Sequence, residues 1–225
     1  MPPLNLVRTA GMPIVEQLRI EEGLLRTKSD SWCLINRGSP PTIVMGISGS
    51  RDRLVEASAT LPIVRRYSGG GTVVVDESTL FVSFICAHEG REFAPYPEPI
   101  HRWARDIYAD LFGTDFALRE NDYVFGERKF GGNAQYIKRD RWVHHSTFLW
   151  DYDPSRMSML RLPEKAPDYR AGRSHDDFLC RLSERFSSLN DLEQSLMGTL
   201  SARFRVEERP LPALFPEHRV ATTLL

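Results

Sequence analysis

Apolar residues at helical spacing mark one segment of the chain with particular clarity. Between Pro97 and Phe112 they recur every three or four residues, a proline stands at the start, and Gly113 follows the end. This pattern predicts an amphipathic helix over that segment. The other predicted helices are one from Pro13 to Leu25, a weak one over residues 51–60, Asp176–Arg185, and Asn190–Arg203, where Asn190 and Glu193 resemble a capping box.

Short β-rich segments fill most of the chain between these helices. The predicted strands are Ser31–Asn36, Thr42–Ile47, Ile63–Tyr67, Thr72–Val75, Leu80–Ala87, Tyr123–Phe125, Phe130–Lys138 and Trp142–Trp150. Strands and helices alternate irregularly, with hairpins and without a repeat. The pattern therefore predicts an α+β fold, with a mixed, mainly antiparallel sheet flanked by helices, rather than a doubly wound parallel sheet. The charged and Pro/Gly-rich segment Arg161–Ser174 is interpreted as a loop, so residues 1–225 are expected to form a single domain.

Composition narrows the class of protein but does not identify it. The 225 residues are 41% hydrophobic, and 29 basic residues face 30 acidic ones, so no overall charge favours nucleic acid or an anionic membrane. No apolar segment is long enough to cross a membrane. The first residues carry no recognisable targeting signal. Cys33, Cys86 and Cys180 are odd in number and far apart, which predicts reduced, buried thiols rather than disulfides or a zinc site.

The first candidate for chemistry is the segment 65–75, in which Arg65 and Arg66 precede three consecutive glycines, Gly69–Gly71. Three glycines weaken a β segment, because each loses backbone entropy on folding and adds no packing. Bare backbone amides beside two arginines could bind an anionic ligand. A mobile hairpin tip with solvated arginines explains the same residues, and the pattern alone leaves both interpretations open.

The second candidate is the segment 125–135, where Lys129 precedes Gly131 and Gly132. A compact cation at a turn could contact a phosphate or a developing oxyanion, although most lysines at turns are solvated. No P-loop or nucleophile-elbow motif is present. His144 and His145 are adjacent on a predicted strand and point to opposite faces, so they cannot form a metal pair. The residues alone therefore indicate a pocket for an anionic small molecule.

Three segments together resemble the lipoate–protein ligase A family. RRYSGGGTVVVD (residues 65–76) is similar to that family's R-R-x-S-G-G-G-[AT]-V-x-x-D, GERKFGGNAQ (126–135) to its G-x-R-K-x-[SG]-G-[NS]-A-x, and HHSTFLWD (144–151) to its H-H-G-T-L-L. The order and separation of the segments also agree, and the resemblance covers roughly residues 10–180. It implies a core of the type found in biotin–protein ligases and class II aminoacyl-tRNA synthetases.

The resemblance also implies a reaction and a set of residues. Lipoate would react with ATP to give lipoyl-AMP, whose acyl group would then pass to a protein lysine. Lys129 would contact the carboxylate and the α-phosphate, and Asp122 is a candidate Mg²⁺ contact. The adenylate would lie along Arg66, Gly71, Thr72, Val73 and Val74. Secondary candidates are Ser68, Gly69, Gly70, Asn121, Gly132, Asn133, His145 and Thr147, and the strand Leu80–Ile85 could line an apolar channel for the lipoyl tail.

The implied partners are apo lipoyl domains of 2-oxoacid dehydrogenases or the glycine-cleavage H protein, with no nucleic acid and no membrane. The implied compartment is the cytoplasm or the mitochondrial matrix. Departures from the family pattern are Thr72 for alanine, Gly131 for serine and Ser146 for glycine. The length leaves no room for the C-terminal accessory domain of many bacterial members. Either a separate accessory subunit supplies its function, or the chain acts chiefly as an amidotransferase on preformed lipoyl-AMP.

Three alternatives remain. An octanoyltransferase or amidotransferase on the same fold is the first, and the segment before Lys129 lacks the cysteine that an octanoyltransferase of this fold would use. The second is a non-catalytic module that binds lipoyl domains, which would be expected to have lost its lysine. The third is a biotin ligase, disfavoured because those enzymes use a G-R-G-R type of loop.

Overall fold

The computed structural model describes residues 1–90, 92–161, 167–212 and 220–225. The strands, in chain order, are β1 (Pro3–Ala10), β2 (Trp32–Arg37), β3 (Thr42–Met45), β4 (Ile63–Arg65), β5 (Val73–Val75), β6 (Thr79–Ala87), β7 (Phe116–Arg119), β8 (Asp122–Phe125), β9 (Arg128–Ile137), β10 (Arg141–Leu149), β11 (Arg205–Glu208) and β12 (Thr223–Leu224). The helices are α1 (Ile14–Thr27), α2 (Arg51–Leu54), α3 (Pro97–Phe112), α4 (Pro154–Met157), α5 (His175–Phe178) and α6 (Leu189–Arg203), with 3₁₀ turns at Asp168–Arg170 and Leu182–Glu184.

The described strands form a large and a small sheet. The large sheet has the order β11-β1-β2-β6-β10-β9-β8-β7, and the small one β12-β4-β3-β5. β1 runs parallel to both its neighbours and β3 runs parallel to β4, whereas the other pairs are antiparallel. The predicted mixed, mainly antiparallel sheet with flanking helices is confirmed.

Helices cover the large sheet from both sides. One face packs against α3 and α6 in a core rich in aromatic side chains. The other face packs against α1, with Tyr67 and parts of the small sheet. The predicted helix over Pro97–Phe112 is confirmed residue for residue, and Gly113 ends it with a φ of 82°, a conformation that glycine adopts without strain.

Some local predictions were wrong. Strands β1, β7, β11 and β12 were not predicted. For β1 and β11 the reason is that they pair in parallel across nearly the whole length of the chain and leave no hairpin signal. The helix over residues 51–60 is only one turn, α2. Asp176–Arg185 is not a helix but α5 and a 3₁₀ turn. Between them the amide of Cys180 donates to the carbonyl oxygen of Lys129, which takes the backbone out of helical pairing.

The cap of α6 also differs from the prediction. Ser188, not Asn190, is the N-cap, and its hydroxyl accepts a hydrogen bond from the amide of Asp191. Glu193 is therefore free of a capping role. It is buried, and its carboxylate forms ion pairs with Arg8 and Arg37.

Candidate active site

The loop that joins β4 to β5 carries the three glycines, and we call Arg66–Thr72 the glycine loop. Backbone hydrogen bonds tie it to the turn after β3: the Arg66 amide donates to the Met45 oxygen and the Ile47 amide to the Ser68 oxygen. A Cβ on Gly46 would lie 2.3 Å from the carbonyl oxygen of Gly70, so only glycine fits there. No sequence motif connects Gly46 with the glycine loop.

Arg66 holds the glycine loop together from inside. Its Nη2 donates to the carbonyl oxygens of Gly69 (2.7 Å) and Gly71 (2.8 Å), and its Nε donates to the Ser68 hydroxyl (3.1 Å). Burial lowers the pKa of Arg66 to about 10, and the group stays a cation at neutral pH. The guanidinium thus organises the loop, and its predicted contact with a phosphate stays a prediction.

The glycines of the loop differ in what surrounds them. Gly70 has a φ of 96°, and a Cβ there would meet Arg66 Nη2 at 2.8 Å, so the loop itself requires glycine at this position. At Gly69 and Gly71 a Cβ would have no heavy atom of the described residues within 4 Å. Packing does not demand glycine at those two positions, which leaves exposed backbone that a ligand could approach.

The residues after the glycines join the loop to the small sheet. The hydroxyl of Thr72 is buried and has no hydrogen-bond partner in the described part of the chain. Val73 is half-buried, whereas the side chain of Val74 packs into the core. Val74 therefore offers backbone but no side chain to a bound molecule.

A β-bulge in β9 determines where Lys129 points. Tyr123 of β8 pairs with Gly131, but the next residue, Val124, pairs with Lys129, so Phe130 is the extra residue. Phe130 is fully buried in the aromatic core. Because of this extra residue, Lys129 lies on the same face as Gly132, and a Cβ on Gly132 would lie 3.4 Å from Lys129 Nζ. Strict alternation would have turned Lys129 to the other face.

Asp122 and Tyr169 fix the position of the lysine. Lys129 Nζ lies 2.7 Å from Asp122 Oδ1, and the hydroxyl of Tyr169 donates to Asp122 Oδ2 at 2.8 Å. Burial and the nearby Asp122 carboxylate raise the pKa of Tyr169, so its hydroxyl remains a donor. Tyr169 lies in the predicted loop Arg161–Ser174, of which residues 162–166 are outside the described residues, and no sequence signal had marked it.

The metal role of Asp122 stays a prediction. Both carboxylate oxygens already have partners, and no group of three His, Cys, Asp or Glu side chains suited to a metal occurs among the described residues. A Mg²⁺ ion often uses only one or two carboxylates together with phosphate oxygens and water. Asp122 fits a magnesium ion of that kind, one bound mainly by a nucleotide.

The glycine loop and Lys129 meet on one face of the β9–β10 hairpin, which we call the site face and define by Gly132, Ala134, His145 and Thr147. A Cβ on Gly70 would lie 3.3 Å from the Cβ of Ala134, while Lys129 lies over Gly132. Gly132 and Ala134 are two residues apart on β9, which is about 7 Å along a strand. The two sequence motifs therefore border the same small region.

The secondary candidates divide between the two faces. His145 pairs with Ala134 and Thr147 with Gly132, so both lie on the site face. Asn133 points to the opposite face, and its Nδ2 donates to the carbonyl oxygen of the exposed Asn121. Within Leu80–Ile85, Phe81 pairs with Thr147 and Ser83 with His145, so alternate residues of β6 continue the site face.

A buried polar network lies beneath the glycine loop. Glu21 of α1 is completely buried and accepts hydrogen bonds from Ser83 (2.6 Å) and from Gln17 (2.9 Å). It also contacts the Tyr67 hydroxyl, and its Oε2 lies 3.0 Å from His145 Nδ1. Burial raises the pKa of Glu21, but the hydrogen bonds and the charge of His145 outweigh it and hold the pKa below its ordinary value of 4.5. No sequence motif marks Glu21; the available signal is an acidic residue within the apolar stretch of a predicted helix.

Cys33, Cys86 and Cys180 are buried, as predicted, and none of them forms a disulfide in the structure. Cys180 is nearer to the site than its sequence position suggested, because its amide donates to Lys129. Its thiol packs in the aromatic core, where burial raises its pKa. No helix of the described residues is long and apolar enough to span a membrane.

Residues 13–200 match the model of the lipoyl protein ligase A/B catalytic domain family. Because the match covers most of the chain, the protein belongs to this family. It is 27% identical to the inactive lipoate–protein ligase 2 of Plasmodium falciparum, an alignment that covers 78% of this chain and 62% of that protein. It is 32% identical to the lipoate-protein ligase LplJ of Bacillus subtilis, over 49% of this chain and 34% of that protein. The chain thus spans only part of these curated relatives.

Solved structures show the same fold. A lipoate-protein ligase A bound with ATP superposes with a TM-score of 0.74 at 16% identity, covering 94% of this chain and 89% of that one. A putative lipoate protein ligase of T. acidophilum with bound lipoic acid gives 0.73 at 16%, covering 93% and 89%. The bipartite lipoate protein ligase of Thermoplasma acidophilum gives 0.75 at 18%, covering 93% and 86%. The predicted core fold is confirmed.

Proposed function

We propose that this protein attaches lipoate to a lysine of an acceptor protein through a lipoyl-AMP intermediate. The observation that carries the proposal is the placement of Lys129, held by Asp122 on the same face as the glycine loop and about one strand repeat away from it. A ligand bound there could extend its phosphate along exposed backbone amides while its carboxylate reaches the ammonium group. The T. acidophilum protein with bound lipoic acid and the ligase bound with ATP support this choice of substrates.

The chemistry assigns Lys129 a role in both steps. In the first, a carboxylate oxygen of lipoate attacks the α-phosphorus of ATP, and pyrophosphate leaves. In the second, the neutral amine of the acceptor attacks the acyl carbon, AMP leaves, and the amine gives up a proton. Negative charge accumulates on oxygen in both transition states, and a fixed ammonium stabilises it. Arg66, Gly71, Thr72, Val73 and Val74 would bind the adenylate, and Asp122 with phosphate oxygens would hold Mg²⁺.

The similarity to an inactive ligase makes a non-catalytic, lipoyl-domain-binding module the main competitor. The Lys129–Asp122 ion pair favours an enzyme, because a binding module would not need a buried carboxylate to orient a lysine. The test incubates the protein with ATP, Mg²⁺, lipoate and an apo lipoyl domain or apo H protein. A mass increase of one lipoyl group on the acceptor is expected. Binding of the acceptor without acylation, from synthetic lipoyl-AMP as well as from ATP and lipoate, would support the module.

We propose that residues 1–225 act as one catalytic domain that a separate accessory subunit assists. The bipartite ligase of T. acidophilum, described together with its E2 lipoyl domain, supports this arrangement. The test compares two starting points with the same acceptor, lipoate plus ATP and Mg²⁺, or synthetic lipoyl-AMP. Transfer from lipoyl-AMP should be much the faster, since binding energy from a second subunit would be missing only in the first step. Equal rates would show that the chain needs no accessory subunit to form lipoyl-AMP.

An octanoyltransferase with an acyl-cysteine intermediate predicts a different result. Because all three thiols are buried and Cys180 has a raised pKa, none is set up as a thiolate nucleophile. Replacing each cysteine by alanine should leave acyl transfer within a few-fold of wild type, a change of about 1 kcal/mol or less in the barrier. Loss of transfer in Cys180→Ala, with a thioester trapped on the wild type, would favour the octanoyltransferase.

A further inference from the structure

A continuous chain of hydrogen bonds connects α1 to the glycine loop. Glu21 Oε2 lies 3.0 Å from His145 Nδ1, and His145 Nε2 lies 2.8 Å from the Ser68 hydroxyl. The same hydroxyl accepts a hydrogen bond from Arg66 Nε at 3.1 Å. Arg66 in turn donates to carbonyl oxygens of the loop. Every link is buried or nearly so, and the chain ends at the backbone that the proposed adenylate would contact.

The direction of each hydrogen bond follows from its chemistry. Glu21 is an acceptor only, since Gln17, Ser83 and Tyr67 all donate to it. His145 must therefore carry a proton on Nδ1. In the neutral ring Nε2 accepts from the Ser68 hydroxyl, and in the protonated ring Nε2 donates to it; in both cases the Ser68 oxygen keeps a lone pair for Arg66. The ionised Glu21 carboxylate thus holds a proton on His145 Nδ1 in either state of the ring.

A serine, a histidine and an acid in this order are also the parts of a nucleophilic triad. Here the Ser68 hydroxyl is fully buried and its oxygen is already bound by Arg66, so no acyl carbon can reach it. Positioning of the loop is the function that the geometry favours.

We propose that Glu21 and His145 are positioning residues that fix the conformation of the glycine loop through Ser68 and Arg66. This inference rests on the proposed function only in naming the adenylate as the ligand of that loop. Its structural part, that Glu21 sets the tautomer of His145 and thereby orders the loop, concerns the free protein.

The first test is the tautomer itself. Long-range ¹H–¹⁵N NMR spectra of the ¹⁵N-histidine-labelled protein should show His145 protonated on Nδ1 in the wild type. In Glu21→Gln, the new amide can donate to Nδ1 and shift the proton to Nε2, which then donates to Ser68. A wild-type His145 that carries its only proton on Nε2 would overturn the inference.

The second test is the order of the loop. Hydrogen exchange of the Arg66 and Ile47 amides, which tie the loop by donating to the carbonyl oxygens of Met45 and Ser68, should become about tenfold faster in Glu21→Gln, as expected when one good hydrogen bond is lost. Ser68→Ala is the smaller change and keeps the Glu21–His145 pair, so it should loosen the loop without changing the tautomer. Glu193→Gln is the matched control, because Glu193 is also buried and ion-paired but has no contact with the loop. Exchange in Ser68→Ala equal to that in wild type would refute the positioning role.

The functional consequence separates the inference from the proposed function. If the wild type acylates its acceptor, Ser68→Ala and Glu21→Gln should raise the KM for ATP about tenfold and leave the KM for the acceptor unchanged, while Glu193→Gln changes neither. If the wild type is active and both variants keep its KM for ATP, the positioning role is wrong and the proposed function stands. If the wild type acylates no acceptor but amide exchange at the loop is still faster in both variants, the proposed function is wrong and the positioning role stands.

Discussion

The two faces of the β9–β10 hairpin differ in packing: one is closely packed in the core, and the other leaves space for a ligand. The face opposite to the site face, which we call the core face, carries Trp142 and Phe148 and packs into an aromatic core with α3. The site face carries Gly132, Ala134 and Thr147, small residues that leave room beside Lys129. Close packing stabilises the first face, and the second gives up that packing to keep space for a ligand.

The adjacent residues His144 and His145 show the same difference between the two faces in their hydrogen bonds. On the core face, Gln135 Nε2 donates both to the Pro97 oxygen and to His144 Nδ1, so the proton of His144 is on Nε2, towards the Tyr123 hydroxyl. Burial lowers the pKa of His144 well below its ordinary value of 6.5 and keeps the ring neutral. On the site face, His145 Nδ1 lies 3.0 Å from Glu21 Oε2, and we infer a proton on that nitrogen. We therefore expect Nδ1 to be a donor in His145 and an acceptor in the neighbouring His144.

The largest expected effect is on the core face. Phe148→Ala should lower the free energy of unfolding by about 3–5 kcal/mol, because a fully buried aromatic side chain is lost and the cavity cannot close completely. Urea unfolding followed by fluorescence measures it. Acyl transfer per folded molecule should change little. If the variant is folded but has lost transfer, the core face also contributes to activity, and the proposed division between the two faces is wrong.

The next largest effect is expected for substitution of Lys129 on the site face, and it should change the rate of acyl transfer. Lys129→Ala should slow acyl transfer roughly 10²–10³-fold, about 2.7–4 kcal/mol, through loss of a fixed cation. The variant should remain folded, because Lys129 is partly exposed and the Tyr169 hydroxyl still donates to the Asp122 carboxylate. Lys129→Arg should not restore transfer, since a planar guanidinium cannot replace a point charge.

The matched control for Lys129 is Lys138→Ala. Lys138 follows the other end of β9 and pairs only loosely with Asp140, at 3.9 Å. Its removal should leave both rate and stability unchanged. Transfer by Lys129→Ala above about a tenth of the wild-type rate would refute the assigned role.

A smaller effect should separate two glycines of the loop. Gly71→Ala has room for its methyl group, so the free protein should keep its Tm, while affinity for a lipoyl-adenylate analogue falls about tenfold, or 1.4 kcal/mol. Gly70→Ala should also lower the free protein's stability, by about 1–3 kcal/mol, because of its positive φ. Thermal shift with and without the analogue decides this. Equal ligand-induced shifts in Gly71→Ala and wild type would mean that no ligand approaches Gly71.

The smallest effect is a pH dependence. Because the folded-state pKa of Glu21 lies below its ordinary 4.5, Glu21 contributes stability that is present above about pH 4.5 and is lost as the pH falls through the folded-state pKa. The stability difference between wild type and Glu21→Gln should therefore shrink from pH 7 to pH 3.5. Urea unfolding at several pH values measures it, and a difference that grows on acidification would contradict the assigned ionisation.

Residue spacing and turn residues predicted much of the secondary structure, and the predictions that were wrong share a physical cause. The helix α3 and the β9–β10 hairpin follow from spacing, Pro97, Gly113 and a charged turn, all of which act within a few residues. The predicted helix Asp176–Arg185 is wrong beyond Phe178, because the Cys180 amide donates to the carbonyl oxygen of Lys129, some fifty residues away in sequence. Tyr169 and Glu21 were missed for the same reason: their partners are distant in sequence.

The sequence by itself determined the family, the α+β architecture and the two segments that carry the candidate chemistry, because motifs and apolar spacing are local properties of the chain. The tertiary structure alone decided which side chains those segments place together. One extra residue, Phe130, turns Lys129 onto the site face, and alternation along the strand would have predicted the opposite. A bulge depends on how the partner strand and the aromatic core accept that residue, so only the packed molecule specifies it.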